Sequence, residues 1–395
     1  MYIAKNFKRN LFLYDMKKLL RLITLVTISV LVFTACEGPM GQMGQRGEKG
    51  ERGERGERGE RGADGKDATC NLCHKPKSVR DIENDYYRLS KHGMAPTFRD
   101  NFSATCAPCH THEAFLSVVY NNAPATAYQA DASALVINTG RRPTPNPFNC
   151  YTCHNYIHEP DYYDWTLTTT AAVPLLMWRG AKTVEFTGNA ASSNLCVKCH
   201  QPRAVANANM SQLASNPSAV HTPALTSISI HYSSEGVLYA GTGGVEFEGR
   251  TPYEQSRHRT IRSGVGLSCA ECHMAKTNGA TKGHTFIATL KGCTVSCHGN
   301  DEAALATRMT PLAAEIAGLL TDLFDKINEI GGGTDVITEN GSLVSGHPQL
   351  ANLTNAHIGA IINYQLVFND AGARAAAHNY PYVVAILKNS IEALD

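Results

Sequence analysis

Cysteine and histidine recur in six clusters along this 395-residue chain. Five read Cys-x-x-Cys-His: Cys70, Cys73 and His74; Cys106, Cys109 and His110; Cys150, Cys153 and His154; Cys196, Cys199 and His200; Cys269, Cys272 and His273. The sixth, Cys293, Cys297 and His298, carries one more residue between its cysteines. Two thiols at this spacing can form thioethers to both vinyl groups of a haem while the adjacent histidine ligates the iron, the pattern of c-type attachment. Structural zinc would combine C-x-x-C pairs into four-cysteine sites and needs no histidine after each pair. A disulfide framework would leave the six histidines without a reason. The expected cofactor is therefore six covalently bound haem c.

Sixteen histidines are present. With six as proximal ligands, His92, His112, His158, His221, His231, His258, His284, His347, His357 and His378 remain, more than enough for six distal positions. Histidine on both faces favours low-spin iron that transfers electrons, whereas an open face admits a substrate. Each of the ten also has an ordinary reading as a surface or packing side chain.

The elements that must position these groups are short. The 231 residues from 68 to 298 allow about 38 per motif, too few to wrap each porphyrin separately, so haem faces must replace much of an ordinary core. Helical or alternating periodicity is weak over this region. The expected fold is mainly α with closely packed haems, little sheet and a C-terminal helical bundle. A hexahaem domain should cover 68–300, with a helical segment over 301–395 packing on it. In that segment Thr310 as N-cap and Pro311 at the first helical position precede Leu312, Ile316, Leu319, Leu320, Leu323, Phe324, Ile327 and Ile330, and three glycines follow. Further helices are expected near Leu353–Ala371 and from Pro381 through Ile391.

Residues 1–35 have the layout of a secretory signal: Lys17 and Lys18, an apolar run from Leu19 and a small-residue end at Ala35. Phe33-Thr34-Ala35-Cys36 resembles a bacterial lipobox, making Cys36 the expected lipidation site; an ordinary cleaved signal is the alternative. From Gly38 through Asp67 glycine occupies every third position in ten G-X-Y triplets, with seven bases and seven acids between. This is a collagen-like stalk or a solvated charged spacer, and at roughly 3.1 Å per residue it would reach about 90 Å. The expected localisation is an outer-membrane lipoprotein facing the periplasm or the cell exterior.

Lys plus Arg at 36 against Asp plus Glu at 35 lacks the basic surplus of a nucleic-acid binder. Six of the bases and one acid lie in residues 1–35, so the formal charge falls from +1 to −4 without them. Expected partners are other multihaem cytochromes or extracellular electron acceptors, the membrane through the anchor, and further copies of the chain: a homotrimer through the stalk or a homodimer through the C-terminal helices.

The stretch Tyr253-Glu254-Gln255-Ser256-Arg257-His258, then Gly264 to Met274, His284, Cys293 to His298 and Ala377-His378-Asn379 resembles the C-terminal half of ammonia-forming cytochrome c nitrite reductases. The resemblance covers roughly residues 190–395, and the earlier part in motif order, with Cys70–His74 as an extra upstream haem. It implies His92 opposite His200, His284 opposite His154, His378 opposite His273 and His258 opposite His298. His231-Tyr232 followed by Gly241-Thr242-Gly243-Gly244 is similar to a feature of multihaem cytochromes exported by metal-reducing bacteria, and assigns His231 to the second haem. His112 and His158 follow their motifs too closely to reach the far face of their own iron, so either is a candidate ligand for a neighbour such as the first haem.

The family's catalytic haem carries lysine where this chain has His110. The counterpart of its active-site tyrosine is Arg203, and that of its active-site histidine is Phe247. The shared fold thus comes without the reaction centre. The expected function is electron transfer along six haems to an extracellular acceptor or partner cytochrome. A reductase of a small nitrogen or sulfur species and a subunit of an extracellular cytochrome filament are the alternatives.

Overall fold

A computed structural model describes residues 87–94, 106–120, 146–155, 157–159, 162–164, 166–261, 264–275, 283–370 and 373–395. All belong to one compact unit, Ile82–Asp395. The signal segment, Cys36, the G-X-Y stretch and the first motif (Cys70, Cys73, His74) lie outside the described residues. The described part is mainly helical, 52% helix and 4% strand. None of its helices is long and apolar enough to cross a membrane.

Short helices lead the chain: α1 (Ala107–His110), α2 (His112–Tyr120) and α3 (Cys150–Cys153). Two small antiparallel ladders follow, β1 (Ile157–Glu159) with β2 (Tyr162–Asp164), and β3 (Val173–Pro174) with β4 (Thr183–Val184). Next come α4 (Ser193–Val197), α5 (Met210–Ser215), α6 (Glu235–Ala240), α7 (Arg257–Thr260), α8 (Cys269–His273) and α9 (Leu290–Cys293). The chain ends in three long helices, α10 (Glu302–Asn328), α11 (Asn355–Asp370) and α12 (Ala373–Glu392).

The core belongs to the second half of the chain. One buried cluster runs from Val173 to Leu387 and joins the long helices to the segments between β3 and Phe247. Among the described residues before 170 the buried apolar cluster is Ala114 and Val118 with Ala107 against them. Helix α11 is buried along almost its whole circumference, Ile358 to Val367 without a break, which marks it as the central element. Around it α10 and α12 present one apolar face each, Ile316, Leu320, Leu323 and Ile327 from the first and Val383, Ile386 and Leu387 from the second. Each such side chain contributes about 1.5–3 kcal/mol by leaving water.

Residues 225–247 have almost no regular structure apart from α6, yet Leu225, Ile228, Ile230, Val245 and Phe247 are buried. Side chains of α11 and α12 take the place of a strand partner. Asn363 accepts from Val245 N (2.8 Å) and donates to Val245 O (2.8 Å) and Ser390 Oγ (2.9 Å). Gln365 accepts from Ile230 N (3.3 Å) and donates to the carbonyls of Ile228 (2.9 Å) and Gly341 (2.7 Å). Tyr382 accepts from Gly244 N (3.0 Å) and donates to Glu246 (2.9 Å). Buried backbone groups need partners, and these amides and the phenol provide them.

Two helix starts differ from the sequence expectation. Helix α10 begins at Glu302, where Asp301 accepts from Ala304 N (2.9 Å), so Pro311 sits inside the helix. An aspartate cap ten residues ahead outweighs the loss of one N–H at a proline. Helix α12 begins at Ala373 and passes through a kink at Asn379 (φ −164°, ψ 74°) before Pro381. The expected Pro381–Ile391 helix is its second half, and the first half carries His378.

Candidate haem-binding sites

Each of the five described motifs folds as a single tight turn with its histidine at or just past the end. Local sequence explains why. Asn149 and Thr152 form a reciprocal capping box at α3, and Ser268 and Glu271 form another at α8. Thr289 caps α9 by accepting from Gly292 N at 3.1 Å. The extra residue of the sixth motif is absorbed by a π turn over Thr294–His298, the usual way a helix takes up one residue.

These turns place their histidines opposite others from distant segments. The ring centroids of His92 and His200 are 6.1 Å apart, those of His110 and His231 6.1 Å, and those of His154 and His284 6.3 Å. The His258–His298 separation is 5.9 Å and the His273–His378 separation 6.2 Å. The structure thus brings together the rings of all five pairs named from the sequence. Two imidazoles on opposite faces of one metal require this spacing: about 2 Å from each nitrogen to the ion and about 1 Å from nitrogen to ring centre give roughly 6 Å.

A planar tetradentate group fits what surrounds the pairs. Among the described residues no three His, Cys, Asp or Glu side chains gather to hold a metal ion alone. Large apolar side chains are exposed beside the paired rings: Leu89 and Met94 flank His92, Tyr232 follows His231, and Ile287 follows His284. Tyr151 and Val295 are exposed within the third and sixth motifs. Exposed apolar surface gathered around ligand positions marks what a hydrophobic group would cover. Turns of different motifs also meet: Cys109 Sγ lies 3.8 Å from Lys198 O in the fourth motif, and Cys269 N donates to Ser193 Oγ (2.9 Å) in the helix that enters it.

Burial favours the neutral form that binds metal in five of these ten imidazoles. His92 is pushed down to about 4, by burial and then by His200. Burial is also the first cause of the downward shifts of His231, His273, His284 and His298, with the facing histidine adding to each. Burial alone would likewise lower His200 and His378. Glu235 and Asp370, respectively, outweigh it and raise them.

At four of the ten paired rings the Nδ1 nitrogen has a defined neighbour. His273 Nδ1 lies 3.1 Å from Phe286 O and His258 Nδ1 3.3 Å from Ala377 O. The latter carbonyl is four residues before Pro381, which has no N–H to offer it, so the helix-breaking proline leaves an acceptor for His258. Phe286, held at φ +57°, serves three sites: its carbonyl faces His273 and its ring packs on His92 (4.8 Å) and His284 (5.9 Å). His200 Nδ1 is 3.5 Å from Glu235 Oε2, and His378 Nδ1 is 2.7 Å from Asp370 Oδ2. Gly236 allows the first approach, because a Cβ there would stand 2.3 Å from His200 O.

The remaining candidates separate. His221 engages Asn355 Oδ1 (2.7 Å) and Asn207 O (3.3 Å), and His347 engages Gln349 N (3.2 Å) and Thr334 Oγ1 (2.8 Å); both use both nitrogens structurally. His357 engages Thr354 Oγ1 at 2.8 Å. His112 Nδ1 meets Thr152 Oγ1 at 2.8 Å and ties α2 to the third motif. His158 stands on β1 opposite Tyr163, and its side chain lies outside the described residues. Arg203 reaches Cys106 Sγ at 3.7 Å, while Phe247 is buried in the core. Sequence reasoning missed Glu235, Phe286 and Asp370. The only signal for Asp370 was an acid at the end of an otherwise apolar helix. No protein-family model, curated protein or solved structure matches the chain.

Proposed function

We propose that this chain is a multihaem c-type cytochrome, an outer-surface lipoprotein that carries electrons to an extracellular acceptor or partner cytochrome. The observation that supports it best is the set of five facing histidine pairs with centroids 5.9–6.3 Å apart. Bound haem would supply reversible one-electron chemistry at each position. The motif cysteines hold the group covalently, the motif histidines and His92, His231, His258, His284 and His378 hold its metal, and the exposed apolar residues beside them exclude water. The contacts of Cys109 Sγ with Lys198 O and of Cys269 N with Ser193 Oγ bring the second, fourth and fifth motifs close together, as a carrier requires.

Cys36 would anchor the chain, and residues 38–67 would hold the carrier away from the membrane. The test is the full-length protein expressed with a cytochrome c maturation system. Six haems per chain and low-spin ferric signals are expected; fewer haems, or high-spin iron at any of the five paired positions, refutes the reading.

One observation favours the reductase alternative at the second site. His231 has φ +66° and Ser233 φ +91°, and non-glycine residues held in this region store strain at functional positions. A ligand on such a loop is poised to leave. Turnover of nitrite or hydroxylamine with a reduced dye would decide for that reading, and its absence for the carrier.

A further inference from the structure

The ligand environments differ between the fifth and sixth sites. At the sixth, His258 faces a neutral backbone carbonyl, Ala377 O, at 3.3 Å. At the fifth, His273 also faces a carbonyl, but the opposite ring, His378, meets the Asp370 carboxylate at 2.7 Å. Asp370 is fully buried at the end of α11, and its other oxygen, Oδ1, has no hydrogen-bond partner among the described residues. Arg374, the second residue of α12, donates to the Asp370 backbone carbonyl (3.1 Å), leaving the carboxylate to His378. A buried carboxylate concentrated on one imidazole N–H is the arrangement that most increases a ligand's electron donation.

We propose, resting on the haem reading above, that Asp370 is a positioning residue that sets the fifth iron's reduction potential. By drawing the Nδ1 hydrogen of His378 toward itself it gives that ring imidazolate character and stabilises ferric over ferrous iron. The fifth iron therefore sits lower in potential than the sixth, whose paired rings His258 and His298 have no carboxylate hydrogen-bonded to them among the described residues, and an electron shared between them rests on the sixth. The adjacent helix ends carry this device, because α11 supplies the carboxylate and α12 the ring.

The test compares the full-length holoprotein with Asp370→Asn by haem count, spectroelectrochemical titration and electron paramagnetic resonance. Six haems are expected in both. In the variant one redox step shifts positive by at least tenfold in its equilibrium constant, about 59 mV for one electron, and one low-spin ferric signal changes while the others hold. Six haems with every potential and signal unmoved overturn the proposal, whereas a protein without covalent haem overturns the haem reading itself. Should Asp370→Asn fail to fold, the unaltered protein still decides. Its near-infrared magnetic circular dichroism should contain one bis-histidine band displaced to higher energy, and a uniform set overturns the assignment.

Discussion

Gly236 is where the long-helix core meets the fourth motif, and replacing it by alanine probes that junction. The glycine lies buried in α6 and donates its N–H to His200 O at 3.1 Å. A Cβ at this position would stand 2.3 Å from that oxygen, 3.4 Å from the His200 carbonyl carbon and 2.9 Å from Val197 Cγ2. The first two atoms are backbone and cannot rotate away, so α6 must retreat by about 1 Å, at a cost of about 1–3 kcal/mol for overpacking. The same movement breaks the Gly236 hydrogen bond, worth about 1 kcal/mol more. The expected loss is about 2–4 kcal/mol, a large part of a domain's usual 5–15 kcal/mol. Urea unfolding of the holoprotein followed by circular dichroism should show it as a midpoint drop of roughly 1 M. Gly318→Ala is the control: in α10 a Cβ at Gly318 meets nothing within 4 Å, so the helix propensity of alanine should stabilise by about 1 kcal/mol. If Gly236→Ala unfolds within about 0.5 kcal/mol of the parent, the close-approach reasoning is wrong.

His284→Ala leaves Cys150, Cys153 and His154 in place, so haem content should be unchanged while one low-spin signal converts to high spin; an unaltered resonance spectrum would show that His284 is not a ligand. Asn363→Leu strands the N–H and C=O of Val245 in the core, and urea unfolding should register a loss of at least about 3 kcal/mol. Glu315 links α10 to α12 through Tyr380 and Lys388 (3.1 Å), and those two hydrogen bonds hold its carboxyl below the usual carboxylate range. A depressed folded pKa adds stability that is complete above the unfolded value, near 4.5, and fades as pH falls through the folded one. Glu315→Gln should therefore destabilise at pH 7 but converge with the parent in acid; a difference that stays constant from pH 7 downward would contradict the linkage.

The attachment turns were legible in the sequence because their chemistry is local. Two thiols and a histidine within five or six residues, preceded by Asn149, Ser268 or Thr289 as caps, specify a turn wherever they occur. The amphipathic stripe of α10 was legible because its apolar residues recur at helical spacing. Helix starts were not, because Asp301 and Ala373 compete with the proline signals at Pro311 and Pro381, and only the packed helices show which prevails.

Residue spacing by itself named ten spare histidines without choosing among them; the expected pairs came from a resemblance. Which rings face one another is a tertiary matter, since His92 and His200 or His273 and His378 approach only when remote segments pack on α11 and α12. The same holds for Asp370, Glu235 and Phe286. Their positions at the histidine Nδ1 atoms depend on a kink, a glycine contact and a positive-φ turn, none of which has a periodic signature. Composition and motif determined that the chain carries six Cys-and-His clusters and ten further histidines. The helical core decided which histidines meet and which carry a buried charge, because a hydrogen bond depends on distances of a few ångströms that only packing sets.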